Sequence, residues 1–392
     1  METKYIPGEM SALKQADKER PRICIITTPR PKAGIIPLSN LVDVLYSLSS
    51  YLYVITGNDA GEVLKKREYI CGCSLTSKAQ SNMIREIIQY IFIQMSISYH
   101  VLSIINKVDM FIFFEGECLL LPILAARITG KPTVLSLAAS VPNWVDAEKK
   151  PSLVFKMMKF LELCNYRLSH KIVLFSALLI KDWHLEKYRA KIAIAHNHFL
   201  DLEEFGFGKD SMKREHLLGY IGRFGAEKGA MNLARSIPEL LKHFSQDRIL
   251  IGGSGPLAEK MVEAIGKDNL ARVKMPGWIN HQDLPRYLKD LRLLILPSYT
   301  EGLPNIMLEA MACGAVVLAT PVGAISNYIK DGETGFLMED NSPGCIIENA
   351  VRALESPELD RIARNARCLV EKEFSYEVAV GNWQSALESI EG

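Results

Sequence analysis

Residues Glu301–Gly323 read EGLPNIMLEAMACGAVVLATPVG, and this stretch decides the fold. Two carboxylates, Glu301 and Glu309, stand eight residues apart around a turn into a helix. Upstream, Leu293–Leu296 is an apolar run of buried-strand length, closed by Pro297. Pro304 suits a first helical position, where a missing N–H costs nothing. Gly314 suits the left-handed residue that ends a helix, and Ala315–Ala319 then returns as a strand. The reading is strand, loop, helix, strand, with Glu301 in the loop and, of the two carboxylates, the one free to reach a substrate. The backbone N–H groups of Leu303 and Asn305, with the positive end of the helix, favour an anionic ligand there.

Outward from this unit the same alternation recurs. Strand-like runs at Ile23–Thr27, Tyr53–Thr56, Met110–Phe114, Thr133–Leu137 and Lys171–Phe175 are separated by helix-length segments. A second series begins at Leu217 and includes Arg248–Ile251, Arg272–Met275 and Leu293–Leu296. Alternation of this kind predicts doubly wound parallel sheets, α/β in class. The expected organisation is a polar N-terminal extension over 1–20, a domain over 21–199, a linker over 200–215, a second domain over 216–373 and a final helix over 374–392.

With 392 residues, 48% of them hydrophobic, the chain can build two cores. Its 46 basic and 45 acidic residues nearly cancel, but unevenly: residues 1–200 carry 25 Lys and Arg against 17 Asp and Glu, and residues 201–392 carry 21 against 28. The basic first half is suited to an anionic surface or acceptor. Apart from Cys71-Gly72-Cys73 the cysteines are scattered, which reads as free thiols in a reducing compartment, and the N-terminus METKYIPGEM has no apolar signal region. A cytoplasmic protein is expected. Ile87–Ile105 is strongly apolar but interrupted by Gln89, Gln94 and His100, so a buried domain helix is expected rather than a span. Lys149–Lys171 interleaves lysines and Arg167 with Leu, Phe and Met, a pattern open to two readings: a helix lying in a lipid interface, or a core-packed helix with a solvated face.

Four further motifs stand in order around 301–323: Gly219-Tyr220-Ile221-Gly222-Arg223, Glu227-Lys228-Gly229, Gly252-Gly253-Ser254-Gly255-Pro256-Leu257 and Lys330–Phe336. Together they resemble glycosyltransferase family 4 (group 1), retaining enzymes of GT-B fold, densely over the C-terminal half and in outline over the rest. The resemblance implies two Rossmann-like doubly wound parallel-sheet domains facing a cleft, with the last helix crossing back to the first domain. It implies transfer of a sugar from a nucleotide diphosphate sugar, such as a UDP- or GDP-sugar, to the hydroxyl of a glycan, lipid-linked or small-molecule acceptor. No cofactor, metal or nucleic acid is implied, and an anionic membrane surface is a further expected partner, on the inner face of the cell membrane.

The same resemblance assigns residues. Arg223 and Lys228, five positions apart, match the pair that holds the donor diphosphate, where fixed positive charge stabilises the leaving group. Glu301 corresponds to the carboxylate beside the sugar and Glu309 to the one that accepts from the ribose hydroxyls. Gly222, Gly255, Gly302, Leu303, Pro304 and Asn305 line the donor, and Trp278 with Ile279 falls at the base-binding segment. Gly34, after the first strand, would meet the diphosphate from the other domain. The chain departs from the family at Ala138-Ala139-Ser140, where many members carry a histidine. Glu115 and Glu117 are either substitutes or a solvated strand end. His196 and His198 have no third ligand nearby, and no Asp-x-Asp occurs, so no metal is expected. A glycosidase pair is disfavoured because it would have no use for the adjacent Arg and Lys. Two alternatives to the transferase remain open: a nucleotide-sugar epimerase of the same fold, and a degenerate sugar-nucleotide-binding subunit.

Overall fold

The structure, a computed structural model, describes residues 20–29, 35–60, 70–75, 83–116, 118–137 and 152–391. These fall into two compact units: Leu200–Ser375 form one, and the described residues through Phe199 together with those from Tyr376 onward form the other.

The first unit is built on strands β1 (Arg22–Ile26), β2 (Tyr51–Gly57), β3 (Ile70–Leu75), β4 (Met110–Phe114), β5 (Thr133–Leu137), β6 (Lys171–Leu174) and β7 (Ile192–Ile194). They pair in parallel in the order β3-β2-β1-β4-β5-β6-β7. Its helices are α1 (Ile35–Ser47), α2 (Met83–Ser103), α3 (Leu120–Ile128), α4 (Ser152–Leu168) and the short α5 (Leu178–Asp182). Every residue of β4 and β5 is buried, as a sheet covered on both faces requires.

The second unit carries β8 (His216–Ile221), β9 (Ile249–Gly252), β10 (Val273–Gly277), β11 (Leu291–Leu296), β12 (Val316–Ala319) and β13 (Phe336–Leu337), parallel in the order β10-β9-β8-β11-β12-β13. Around it lie α6 (Ala230–His243), α7 (Ala258–Ile265), α8 (Leu284–Lys289), α9 (Asn305–Ala312), α10 (Ile325–Tyr328), α11 (Pro343–Leu354) and α12 (Leu359–Glu373). On α6, Leu233, Ile237, Leu240 and Leu241 form a stripe at helical spacing that is buried on the sheet. Each such side chain contributes about 1.5–3 kcal/mol by leaving water. Helix α11 starts where sequence chemistry says it should: Ser342 Oγ accepts from Cys345 N at 3.3 Å, and Pro343 follows directly.

The α/β class with two doubly wound parallel sheets is as the sequence indicates. Several details differ. Strands β3, β7 and β13 were not expected. Helix α9 begins at Asn305, one residue after Pro304, whose ψ of 119° is still extended. Residues 200–215, expected as a linker, pack into the second unit: Phe205 and Arg214 are buried, and Gly208 N donates to Cys313 O at 3.0 Å. Helix α2 is buried along one face only, at Ile93, Ile97 and Val101. The last helix, α13 (Tyr376–Glu391), packs with α1 and β7 of the first unit, where Trp383 is fully buried and Tyr376 Oη donates to Asp43 O at 3.1 Å. Gly34, Glu117, Ala138-Ala139-Ser140, Lys149 and Lys150 lie outside the described residues.

Candidate functional site

In the second sheet β8 and β11 are neighbours, and the chain leaves them in opposite directions, β8 toward β9 and β11 toward β12. The loops at their carboxyl ends therefore diverge and open a crevice, the place where open parallel sheets bind ligands. Arg223, Lys228 and Glu301 all lie on these two loops.

After β8 the chain turns through Gly222–Gly225, makes one 3-10 turn over Ala226–Lys228 and enters α6. Gly222 N donates to Gly252 O at 3.0 Å and Phe224 N to Ser254 O at 2.9 Å, which fixes this loop against the end of β9. Gly229 has φ +65°, and a Cβ there would lie 1.9 Å from Pro297 O. Only glycine allows the loop to press so closely on the end of β11. Tyr299 N completes the seam by donating to Glu227 O at 2.9 Å.

Across the seam Lys228 Nζ donates to both oxygens of Glu301, at 2.7 and 2.8 Å. Ser298 Oγ donates to Glu301 Oε1 at 2.7 Å, and Thr320 Oγ1 in turn to Ser298 O at 2.6 Å. The Glu301 side chain is 9% exposed and that of Lys228 27%. The expectation that Glu301 is free is thus corrected: it is held by an ammonium and a hydroxyl. Arg223 behaves differently. Its Nη2 is 2.5 Å from Glu227 Oε1, yet its side chain is 56% exposed, so the guanidinium retains donors facing solvent. Behind it Tyr220 Oη donates to Arg223 O at 2.7 Å, and burial, then the charges of Glu301 and Glu227, push the Tyr220 phenol far above its usual pKa.

Glu309 lies on α9 and is almost wholly buried. A buried carboxylate needs a partner. It is His281, whose Nε2 donates to Glu309 Oε1 at 2.9 Å. Burial disfavours the imidazolium, but the hydrogen bond and the negative charge of Glu309 outweigh it, and the His281 pKa lies above its ordinary value. The Phe205 ring sits 5.3 Å from that of His281. Sequence reasoning missed His281; the usable signal was the buried acid, which demanded a donor, but nothing local to residue 309 points 28 positions back.

His281 follows Trp278 and Ile279 on the loop after β10. Trp278 is half exposed, while Ile279 packs over Gly252, where a Cβ would meet Ile279 Cδ1 at 2.5 Å. Gly255 abuts the next loop in the same way, since a Cβ there would lie 2.6 Å from Phe224 O. On the loop before α9, Leu303 is buried and Gly302 O accepts from Ala324 N at 2.8 Å. Pro304 provides no side-chain cap to α9, and with Met307 N donating to Pro304 O at 3.1 Å the N–H groups of Asn305 and Ile306 are the ones available to a ligand. In the first unit, Glu115 stands at the end of β4 with φ +48°. His196 and His198 are both buried, His196 Nδ1 lying 3.2 Å from His198 O. The second unit thus places two cations, two carboxylates and an uncapped helix start on segments that follow the carboxyl ends of its strands, a set able to hold a diphosphate beside a polyhydroxylated group.

Residues 215–356 match the family model described as Glycosyl transferases group 1. The chain is 25% identical to an alpha-D-kanosaminyltransferase of Streptomyces kanamyceticus over 294 residues, covering 68% of this chain and 72% of that protein. It is 26% identical to a UDP-Gal:alpha-D-GlcNAc-diphosphoundecaprenol alpha-1,3-galactosyltransferase of Escherichia coli, covering 62% and 66%. The alignments span between about four-tenths and seven-tenths of the length of the curated relatives. Among solved structures, HepE of Anabaena in complex with UDP superposes with a TM-score of 0.72 at 15% identity, covering 94% of this chain and 100% of that one. The fold is therefore that of the two-Rossmann-domain GT-B proteins. The comparisons support a group 1 glycosyltransferase, and residues 215–356 carry the match to that family.

Proposed function

We propose that this protein is a retaining, metal-independent glycosyltransferase that moves a sugar from a nucleotide diphosphate sugar to a hydroxyl acceptor. The observation that carries this reading is the Lys228–Glu301 pair at the crevice between β8 and β11, with the exposed guanidinium of Arg223 beside it. Lys228 and Arg223 supply fixed positive charge to the donor diphosphate, whose negative charge grows as the anomeric C–O bond breaks. Glu301 orients the sugar, and Glu309, held by His281, accepts from the ribose hydroxyls. Gly222, Gly255, Gly302, Leu303, Pro304 and Asn305 line the diphosphate and sugar, and Trp278 and Ile279 flank the base. The bond from the anomeric carbon to the acceptor oxygen forms on the face that the phosphate leaves. The acceptor proton passes to the departing phosphate oxygen, so no separate base is needed.

UDP bound to the similar HepE fold supports a UDP-sugar as the first donor to test, with GDP-sugars next. The E. coli relative's name specifies a diphosphoundecaprenol-linked acceptor, which supports a lipid-linked glycan as the acceptor class. The test is a thermal-shift screen against nucleotide diphosphates and their sugars with Lys228→Ala alongside. A ligand at a hundred times its dissociation constant stabilises by about 2.7 kcal/mol. A shift for one nucleotide sugar, reduced in the variant, supports the reading; no shift with any of them refutes it.

A further inference from the structure

We infer that the outward faces of α2, α3 and α4 form a docking surface for an anionic lipid bilayer. Helix α2 carries its apolar side chains on both sides. Ile93, Ile97 and Val101 pack inward, but Ile88, Ile91, Phe92, Met95, Tyr99 and Leu102 are each 48–71% exposed. Their spacing puts them on one helical face about 20 Å long. Connections from β3 to β4, β4 to β5 and β5 to β6 all run the same way across the sheet, so right-handed crossovers set α2, α3 and α4 side by side on one face of it. Helix α3 packs against α2 and adds exposed Leu121 and Ile128; α4 packs against α3 and adds exposed Met157 and Phe160. Ten large apolar side chains exposed on three neighbouring helices are the kind of patch that marks an interaction surface rather than scattered surface residues.

Charge selects the occupant. From Ile87 to Ser103 there is no Asp, Glu, Lys or Arg, and α3 holds Arg127 alone. The acid of α4, Glu162, is buried, bonded to Lys159 at 2.6 Å and to the Tyr166 hydroxyl at 2.6 Å. Exposed Lys107, Arg127, Lys156 and Arg167 lie on these helices or on the turn that follows α2. Among the described side chains of these helices no acid is exposed. A second copy on the same patch, related by a two-fold axis, would set basic helices against basic helices. An anionic bilayer takes up the apolar residues and neutralises the basic ones at once. No helix among the described residues is long and apolar enough to cross a membrane, and α2 is tied to the sheet by its inner face, so the contact is with the interface. This adds to the lipid-linked acceptor reading above, but the docking stands on its own geometry.

The experiment is vesicle flotation of the full chain with phosphatidylcholine alone or mixed with phosphatidylglycerol, at low and high salt. The wild type should float with the mixed vesicles at low salt. Phe92→Glu with Met95→Glu, both at exposed positions, should lower the bound fraction roughly tenfold or more. Lys156→Glu should weaken binding to the mixed vesicles and leave the uncharged ones unaffected. Circular dichroism and the nucleotide thermal shift should be unchanged in each variant. Failure of the wild type to float, or equal flotation of the double variant, overturns the inference, as does a solution dimer that the double variant dissociates. Flotation without any nucleotide shift would sink the transferase reading alone.

Discussion

Lys228 and Glu301 are 73 residues apart in sequence, yet the ammonium of one spans both carboxylate oxygens of the other at 2.7 and 2.8 Å. A pair closed on itself in this way neutralises the charge that a diphosphate would need. On the proposed transferase reading, donor binding exchanges one partner for another: Lys228 turns to phosphate, and Glu301, still held by Ser298, turns to sugar hydroxyls.

It follows that Lys228→Ala lowers turnover on the order of 10²- to 10³-fold while the protein still folds. The stability change is about 1 kcal/mol, since the ammonium is partly in solvent and Ser298 continues to hold the carboxylate. Steady-state kinetics with the donor found by thermal shift, beside a urea melt, separates the two effects. Unchanged turnover in the folded variant would remove Lys228 from the chemistry.

The His281–Glu309 pair makes stability depend on pH. His281 has a folded pKa above its unfolded value of about 6.5, so its contribution is fully present below that pH and is lost as pH rises through the folded value. His170 and His216 are shifted the other way, chiefly by burial, and oppose this trend. The wild type minus His281→Asn difference isolates the pair. That difference should shrink from acid to mildly alkaline pH in urea melts; a difference that grows with pH would show the pair to be wrongly assigned.

Gly229→Ala tests the seam between the two loops. The positive φ costs about 1–3 kcal/mol for a side chain, and the added Cβ would stand 1.9 Å from Pro297 O, so the loop must move. Because Lys228 is the preceding residue, the nucleotide shift should fall together with the melting midpoint. A variant that melts as the wild type does would mean that the close approach is not required.

The β11–α9–β12 unit was readable because an apolar run, a Pro and a Gly each mark a boundary by their own chemistry. What escaped depended on neighbours. β3 is an edge strand of sequence ICGCSL, with little β-branched content to announce it, and β13 has two residues. Helix α2 reads as a buried helix because its apolar run is interrupted by Gln89, Gln94 and His100, and apolarity does not say which side the protein fails to cover. His281 was invisible because its partner is supplied by the fold. The extended conformation of Pro304 moved a helix start by one residue, within the usual slack of such boundaries.

Arg214 shows how a charge in an apparent linker can be structural. It is buried without a carboxylate. Its Nε donates to Lys209 O at 2.8 Å, Nη1 to Leu291 O at 2.8 Å and Nη2 to Cys313 O at 3.2 Å. Burial lowers its pKa, but a guanidinium stays charged, and the carbonyl beyond the end of α9 is where a cation is favoured. Arg214→Met keeps much of the volume and leaves these carbonyls unpaired, a loss of about 2–4 kcal/mol. Arg214→Lys, a point charge without the planar fork, should recover only part of it. Urea midpoints of the two variants check this. If Met matches the wild type, residues 200–215 are a linker in energy as well as in sequence, and the anchoring of that segment rests instead on Phe205 and on Arg367, which donates to Phe205 O at 2.6 Å.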